Sequence, residues 1–255
     1  MIDNFILVHY RRDAFDNMPE YEKKANGNID MVAWADIHFR LLRQQIAQIR
    51  SMYPRAKIHL ITSELNVPSN VICHWSPASP KNHICKLAIY DLLDEPAMYI
   101  DSDILLLRPF EEQHLTTTNS FNTYRSHSTY DFRKVASKEL PFHIPCQPNA
   151  GMVWIPKPSK ALAQELYEIH SDYFNDKQRF LDNNYWADND ELALAFYIQK
   201  HQIKMNEFRD VSVPRSWPNL GDIRQYHSIH YTGIETSWKK LCLVEYTEYK
   251  RKMHL

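Results

Sequence analysis

Ala97-Met98-Tyr99-Ile100-Asp101-Ser102-Asp103-Ile104-Leu105-Leu106-Leu107 joins two apolar runs through a pair of carboxylates. The run before Asp101 is continuous, not alternating, which suits a strand buried on both faces of a sheet. Two acidic residues at the end of such a strand are hard to explain by packing. Like charges repel, and each costs on the order of several kcal/mol to desolvate. A divalent cation would let both carboxylates stay ionised at the carboxyl end of the strand, where open α/β sheets hold their ligands. A solvated turn after a strand is the plainer alternative.

Composition bounds the rest. The chain has 255 residues, enough for one large domain or two small fused lobes. Its 30 Lys and Arg nearly balance 31 Asp and Glu, for a formal net charge of -1, which argues against a nucleic-acid binder. Only four glycines occur, Gly27, Gly151, Gly221 and Gly233, so neither GxGxxG nor GxxxxGK[ST] can be written. Any phosphate-bearing ligand must then rely on a cation and side chains. Cys73, Cys85, Cys146 and Cys242 show no CxxC spacing and read as reduced core thiols of a cytoplasmic protein. The early run Phe5–Val8 is too short and too poorly flanked for a signal peptide. No segment approaches the ~20 apolar residues of a membrane span.

The order of elements points to an α/β fold. Strands are expected at residues 5–9, 58–61, 71–73 and up to Asp101. Between them fall a helix over 34–53 and another over 82–93. In the first, Leu42, Ile46, Ile49 and Tyr53 form the apolar face, and Arg43, Gln44, Gln48 and Arg50 lie off it. Such alternation predicts a mostly parallel central sheet flanked by helices. Further on, strands are expected at 120–124, 152–155 and 228–231, and helices at 159–173 and 190–200. Residues 125–148, with Pro141, Pro145 and Pro148, read as a loop-rich insertion. Residues 1–240 form one domain in this reading, and 241–255 a basic tail.

Four ordered segments resemble the GT-A fold glycosyltransferases, most closely family 8 and related nucleotide-diphospho-sugar transferases. Lys86-Leu87 leads into a strand ending in Asp101-Ser102-Asp103, similar to the family's basic-Leu pair and DxD. Asn149-Ala150-Gly151 resembles its Asn-x-Gly before a strand. Asp188-Asn189-Asp190-Glu191-Leu192 resembles its Asp-Gln-Asp-x-Leu, with Asn189 where Gln is usual. His230-Tyr231-Thr232-Gly233, with Lys239 downstream, resembles its His-x-x-Gly and lysine. The likeness spans most of residues 1–240, and two of the four glycines fall inside it.

The resemblance implies a nucleotide-diphosphate sugar as donor and Mn²⁺ or Mg²⁺ as cofactor. Asp101, Asp103 and His230 would hold the cation, a mixed oxygen and nitrogen set that suits Mn²⁺ better than Ca²⁺. Tyr10 would meet the base, with His9 beside it. Ser102, Gly233 and Lys239 would lie at the diphosphate, and Lys86 at a phosphate or at the Asp pair. Asn149 and Gly151 would hold the donor sugar. Asp188, Asp190 and Glu191 would bind sugar hydroxyls or act at the reacting carbon, with two registers of that motif open and retention favoured over inversion. Each role has a plainer counterpart: a strand histidine for His230, exposed lysines for Lys86 and Lys239, a turn for Asn149 and Gly151, and helix N-terminal charge for the acidic cluster. The acceptor would be a glycan, a lipid-linked sugar or a protein. The tail from Lys239, with Lys and Arg at 239, 240, 250, 251 and 252 against Glu245 and Glu248, could touch the inner face of an anionic membrane or stay solvated.

Two rival functions stand beside this one. A non-catalytic nucleotide-sugar-binding protein would keep the site without turnover. A DxD phosphatase would want Gly-Thr after the second Asp, where Ile104-Leu105 stands.

Overall fold

A computed structural model describes residues 2–9, 31–63, 66–76, 86–110, 115, 120–125, 148–174, 190–208, 212–214, 225–231 and 236–253. Strands β1 (Asn4–His9), β2 (Lys57–Thr62), β3 (Ile72–Trp75) and β4 (Ala97–Ile100) lie in the first half, with helix α1 (Met31–Met52) between β1 and β2. Strand β5 (Ile104–Leu106) follows Asp103 directly. Next come β6 (Ser120–Arg125), β7 (Pro148–Ile155), α2 (Lys160–Phe174), α3 (Asp190–Lys200), β8 (Lys204–Glu207), β9 (Ser212–Pro214), β10 (Ser228–His230) and α4 (Thr236–Met253).

Seven strands form the main sheet in the order β3-β2-β1-β4-β7-β6-β8. The β1–β2, β1–β4, β2–β3 and β6–β8 pairs are parallel, and β7 runs antiparallel to both β4 and β6. The expected mostly parallel α/β sheet is therefore present. Its two faces bury separate apolar clusters, as the continuous apolar runs require. Met98 and Ile100 pack with Leu42, Ile46 and Ile49 of α1, while Ala97 and Tyr99 pack with Leu162, Leu166 and Leu194 of α2 and α3. A second sheet, β5-β10-β9, lies against α1 and α4 through Leu105, Ile229, Leu41 and Cys242.

Several local expectations change. The helix expected over 82–93 is a single 3-10 turn, Lys86–Tyr90, with residues 82–85 outside the described set. The Tyr90 carbonyl accepts the Ser159 N–H at 2.7 Å, which takes the acceptor an α-helix would need to continue. The third strand spans Ile72–Trp75, not 71–73, because its partners are His59–Thr62 of β2. Gln44 and Gln48 are not on an open face of α1. Both are buried, and Gln48 Nε2 donates to the Leu106 carbonyl at 2.6 Å. Cys73 is exposed, so the core-thiol reading fails there; Cys242 is buried. Strand β7 begins at Pro148, so Asn149 and Gly151 lie within the strand rather than in a turn before it. Strands β5, β8 and β9 had no counterpart in the sequence reading. Helix α4 crosses residue 240 without a break, and Cys242 anchors it in the core. No described helix is long and apolar enough to cross a membrane.

The β2–β3 edge makes a pH prediction. His59 Nδ1 lies 3.0 Å from His74 Nε2, with the rings stacked. Burial, then His74 and Lys57, pull His59 down to about 4, against the opposing pull of Glu95. An unfolded histidine titrates near ~6.5. The unfolded chain thus binds the extra proton between those values, and folding stability falls as pH drops through that window. Urea melts at pH 7 and pH 4.5 should show a steeper loss for the native protein than for His59→Gln. Equal losses would contradict this assignment.

Candidate metal centre

The Asp101–Asp103 segment crosses from one sheet to the other. Asp101 N–H donates to the Gly151 carbonyl at 2.7 Å, which continues the β4–β7 ladder one step. Ile104 N–H bonds back to the Asp101 carbonyl at 3.2 Å and closes a turn over Ser102 and Asp103. The Asp103 carbonyl then accepts the Tyr231 N–H at 3.0 Å, an extension of the β5–β10 pairing. Asp101 is thus fixed to the large sheet and Asp103 to the small one. The register His230↔Ile104 brings the imidazole alongside.

The three side chains converge. One ligand atom each from Asp101, Asp103 and His230 all lie within 4.8 Å of one another. His230 Nε2 is 3.2 Å from Asp103 Oδ1 and 3.9 Å from Asp101 Oδ2. Asp103 and His230 are buried, and the Asp101 side chain is 20% exposed, so the group opens to solvent on the Asp101 side. Two carboxylate oxygens and one imidazole nitrogen make a donor set that could hold a divalent cation.

Gly151 makes room for this arrangement. A Cβ built there would lie 2.2 Å from Cε1 and 2.8 Å from Nδ1 of His230. No side chain fits that gap, so glycine is needed for close approach of a ring, not for an unusual backbone angle.

Lys86 and Tyr99 support the carboxylate of Asp101. The Lys86 ammonium lies 2.9 Å from Oδ1 and 3.1 Å from Oδ2. The Tyr99 hydroxyl donates to Oδ1. Burial opposes the charge on Lys86, but Asp101, with Tyr99 and Asp190, holds it well above the usual lysine range. Burial, then the Asp101 charge, pushes the Tyr99 phenol up as well. Lys86 is therefore an ion-pair partner of the Asp pair, not an exposed helix lysine.

Other expected residues fall around this core. Asp190, the first residue of α3, is buried, and its charge acts on Lys86, Tyr90 and Tyr99. Glu191 Oε1 accepts the Ala150 N–H at 3.3 Å, next to the irregularity where the β6–β7 register shifts. Asn149 Oδ1 accepts the Gly151 N–H at 2.9 Å, so that oxygen serves its own strand. Ser102 Oγ meets His38 Nδ1 of α1 at 3.2 Å. His9, buried at the end of β1, packs its ring on Phe39. Lys239 falls in the first turn of α4. Tyr10, Asp188 and Gly233 lie outside the described residues.

Two neighbours of the site were missed in the sequence. Tyr99 carried a usable signal, because residues two apart share a strand face and Tyr99 stands two before Asp101. His38 carried none; it depends on how α1 crosses the Asp101–Asp103 turn.

Comparison with solved structures agrees with this architecture. The chain is similar to the galactosyltransferase LgtC, crystallised with donor and acceptor sugar analogs, at a TM-score of 0.54 and 9% identity, over 98% of this chain and 95% of that one. It is also similar to the glycosyltransferase GlyE of Streptococcus pneumoniae TIGR4, at 0.55 and 10% identity, over 99% of this chain and 63% of that one. No family model and no curated protein sequence matches it. At such low identity the likeness establishes the fold alone: a GT-A-like architecture across nearly the whole chain.

Proposed function

We propose that this protein is a cation-dependent glycosyltransferase, retaining in stereochemistry, that takes a sugar from a nucleotide-diphosphate donor. The acceptor is a glycan, a lipid-linked acceptor or a protein. One observation carries the reading: Asp101, Asp103 and His230 converge at the carboxyl end of β4 in a GT-A-like fold. Open sheets hold their ligands at that end, beside the neighbouring β1. Mn²⁺ or Mg²⁺ bound there would offset the charge that grows on the departing diphosphate.

The chain's own residues do the rest. Lys86 keeps a positive charge beside Asp101 and limits the repulsion between the carboxylates. Asp188, Asp190 and Glu191 bind sugar hydroxyls or act at the reacting carbon, and the Asp190 charge helps to keep Lys86 protonated. Tyr10 serves the base, and Ser102, Gly233 and Lys239 the diphosphate. Asn149 keeps its amide for the sugar while its oxygen holds Gly151.

Release of nucleoside diphosphate from a panel of nucleotide sugars tests this. Incubated with Mn²⁺, the protein should release diphosphate from one donor and stop on chelation. Tight, cation-dependent binding without any release, even with mixed glycan and glycolipid acceptors, would favour the non-catalytic binding reading instead.

A further inference from the structure

We infer that Tyr99 is a positioning residue that sets how Asp101 presents itself to the cation and thereby which cation the site prefers. The inference rests on the reading of Asp101, Asp103 and His230 as a metal centre. Lys86 touches both oxygens of the Asp101 carboxylate and cannot distinguish them. The Tyr99 hydroxyl donates to Oδ1 alone. Oδ2 is the oxygen within 3.9 Å of His230 Nε2, and so the one turned to the other ligands.

Tyr99 is itself immobile. It is 1% exposed and packed among Ile6, Leu87, Val153 and Leu194, so its hydroxyl is a fixed point. It shares a strand face with Asp101, which needs no loop to bring the two together. Beyond the Lys86 contact that both oxygens share, Oδ1 alone accepts a second hydrogen bond, which leaves Oδ2 the freer oxygen to offer as a single ligand. Small cations with near-octahedral demands accept that, whereas Ca²⁺ favours more oxygens and often takes both from one carboxylate. The phenol therefore favours Mn²⁺ and Mg²⁺ over Ca²⁺. Partners that orient a ligand typically change metal affinity by about 10–100-fold.

The test compares Mn²⁺ and Ca²⁺ affinities of the wild type and Tyr99→Phe by calorimetry, without donor. Phe fills the same buried space and removes only the hydroxyl, and the cation-free melting temperature reports folding. Mn²⁺ affinity should fall about tenfold or more, and Ca²⁺ affinity much less or not at all, so the Mn²⁺:Ca²⁺ ratio drops. That ratio is insensitive to the fraction of folded protein, so a partly unfolded variant still answers. A wild type that binds Mn²⁺ with an unchanged ratio in Tyr99→Phe overturns the role of Tyr99 and leaves the metal centre intact. A wild type that binds no Mn²⁺ overturns the metal centre itself, and the role of Tyr99 with it.

Discussion

Asp103→Ala should lose Mn²⁺ binding by a factor of about 100 or more, and glycosyl transfer with it. The estimate follows from residues that only orient a ligand, whose loss already costs about 10–100-fold. Asp103 would be a ligand outright. Its carboxylate is buried, with Oδ1 3.2 Å from His230 Nε2, so no outer residue can easily replace it. The fold should tolerate the change without the cation. The backbone carbonyl of Asp103, which ties the turn to Tyr231, is kept. Removing one of two neighbouring carboxylates also relieves repulsion when no cation lies between them. Calorimetric titration with Mn²⁺ and a cation-free melt are the two measurements. Near-native Mn²⁺ affinity in a folded Asp103→Ala would remove Asp103 from the site.

Gly151→Ala should damage the same site through a residue that never touches the cation. The added carbon would stand 2.2 Å from His230 Cε1, where carbon atoms ordinarily keep about 3.5 Å or more. The ring is buried and cannot swing freely into solvent. It must shift by roughly 1 Å, and overpacking of this kind costs about 1–3 kcal/mol. The displaced nitrogen should lower Mn²⁺ affinity on the order of 10–100-fold. A double-mutant cycle isolates the cause. In a His230→Ala background, Gly151→Ala should cost clearly less in urea denaturation, because of the tight contacts only Asn149 Oδ1 at 2.9 Å remains. An equal penalty in both backgrounds would show that the methyl is resisted by something other than the imidazole.

The sequence was most legible where physics is local. The continuous run Ala97–Ile100 announced a doubly buried strand, and two carboxylates after it announced an electrostatic problem. Both readings follow from residue type and period alone. His230 became visible only through its spacing to Gly233, since its approach to Asp103 depends on pairing between strands more than a hundred residues apart. Gly151 was visible as a residue but not in its role, because the ring it accommodates comes from β10. Lys86 was expected at a phosphate or at the Asp pair, but its element was expected as a helix over 82–93 and is one 3-10 turn, whose Tyr90 carbonyl accepts the Ser159 N–H from the other half of the chain. Gln44 and Gln48 misled for a related reason. The pattern of α1 showed one buried face, and the second face is covered by β5 and α4, which approach from distant segments.

Thermal melts with and without 1 mM Mn²⁺ across a panel of nucleotide sugars read out cation-dependent donor binding to the native protein. A ligand at about 100 times its Kd stabilises the native state by about 2.7 kcal/mol. For a chain of this size that corresponds to a rise of roughly 5–10 °C. Such a rise is expected for one donor class, present only with the cation and absent in Asp103→Ala. A panel in which no nucleotide sugar raises the melting temperature, or in which the rise is the same without Mn²⁺, would contradict cation-dependent donor binding.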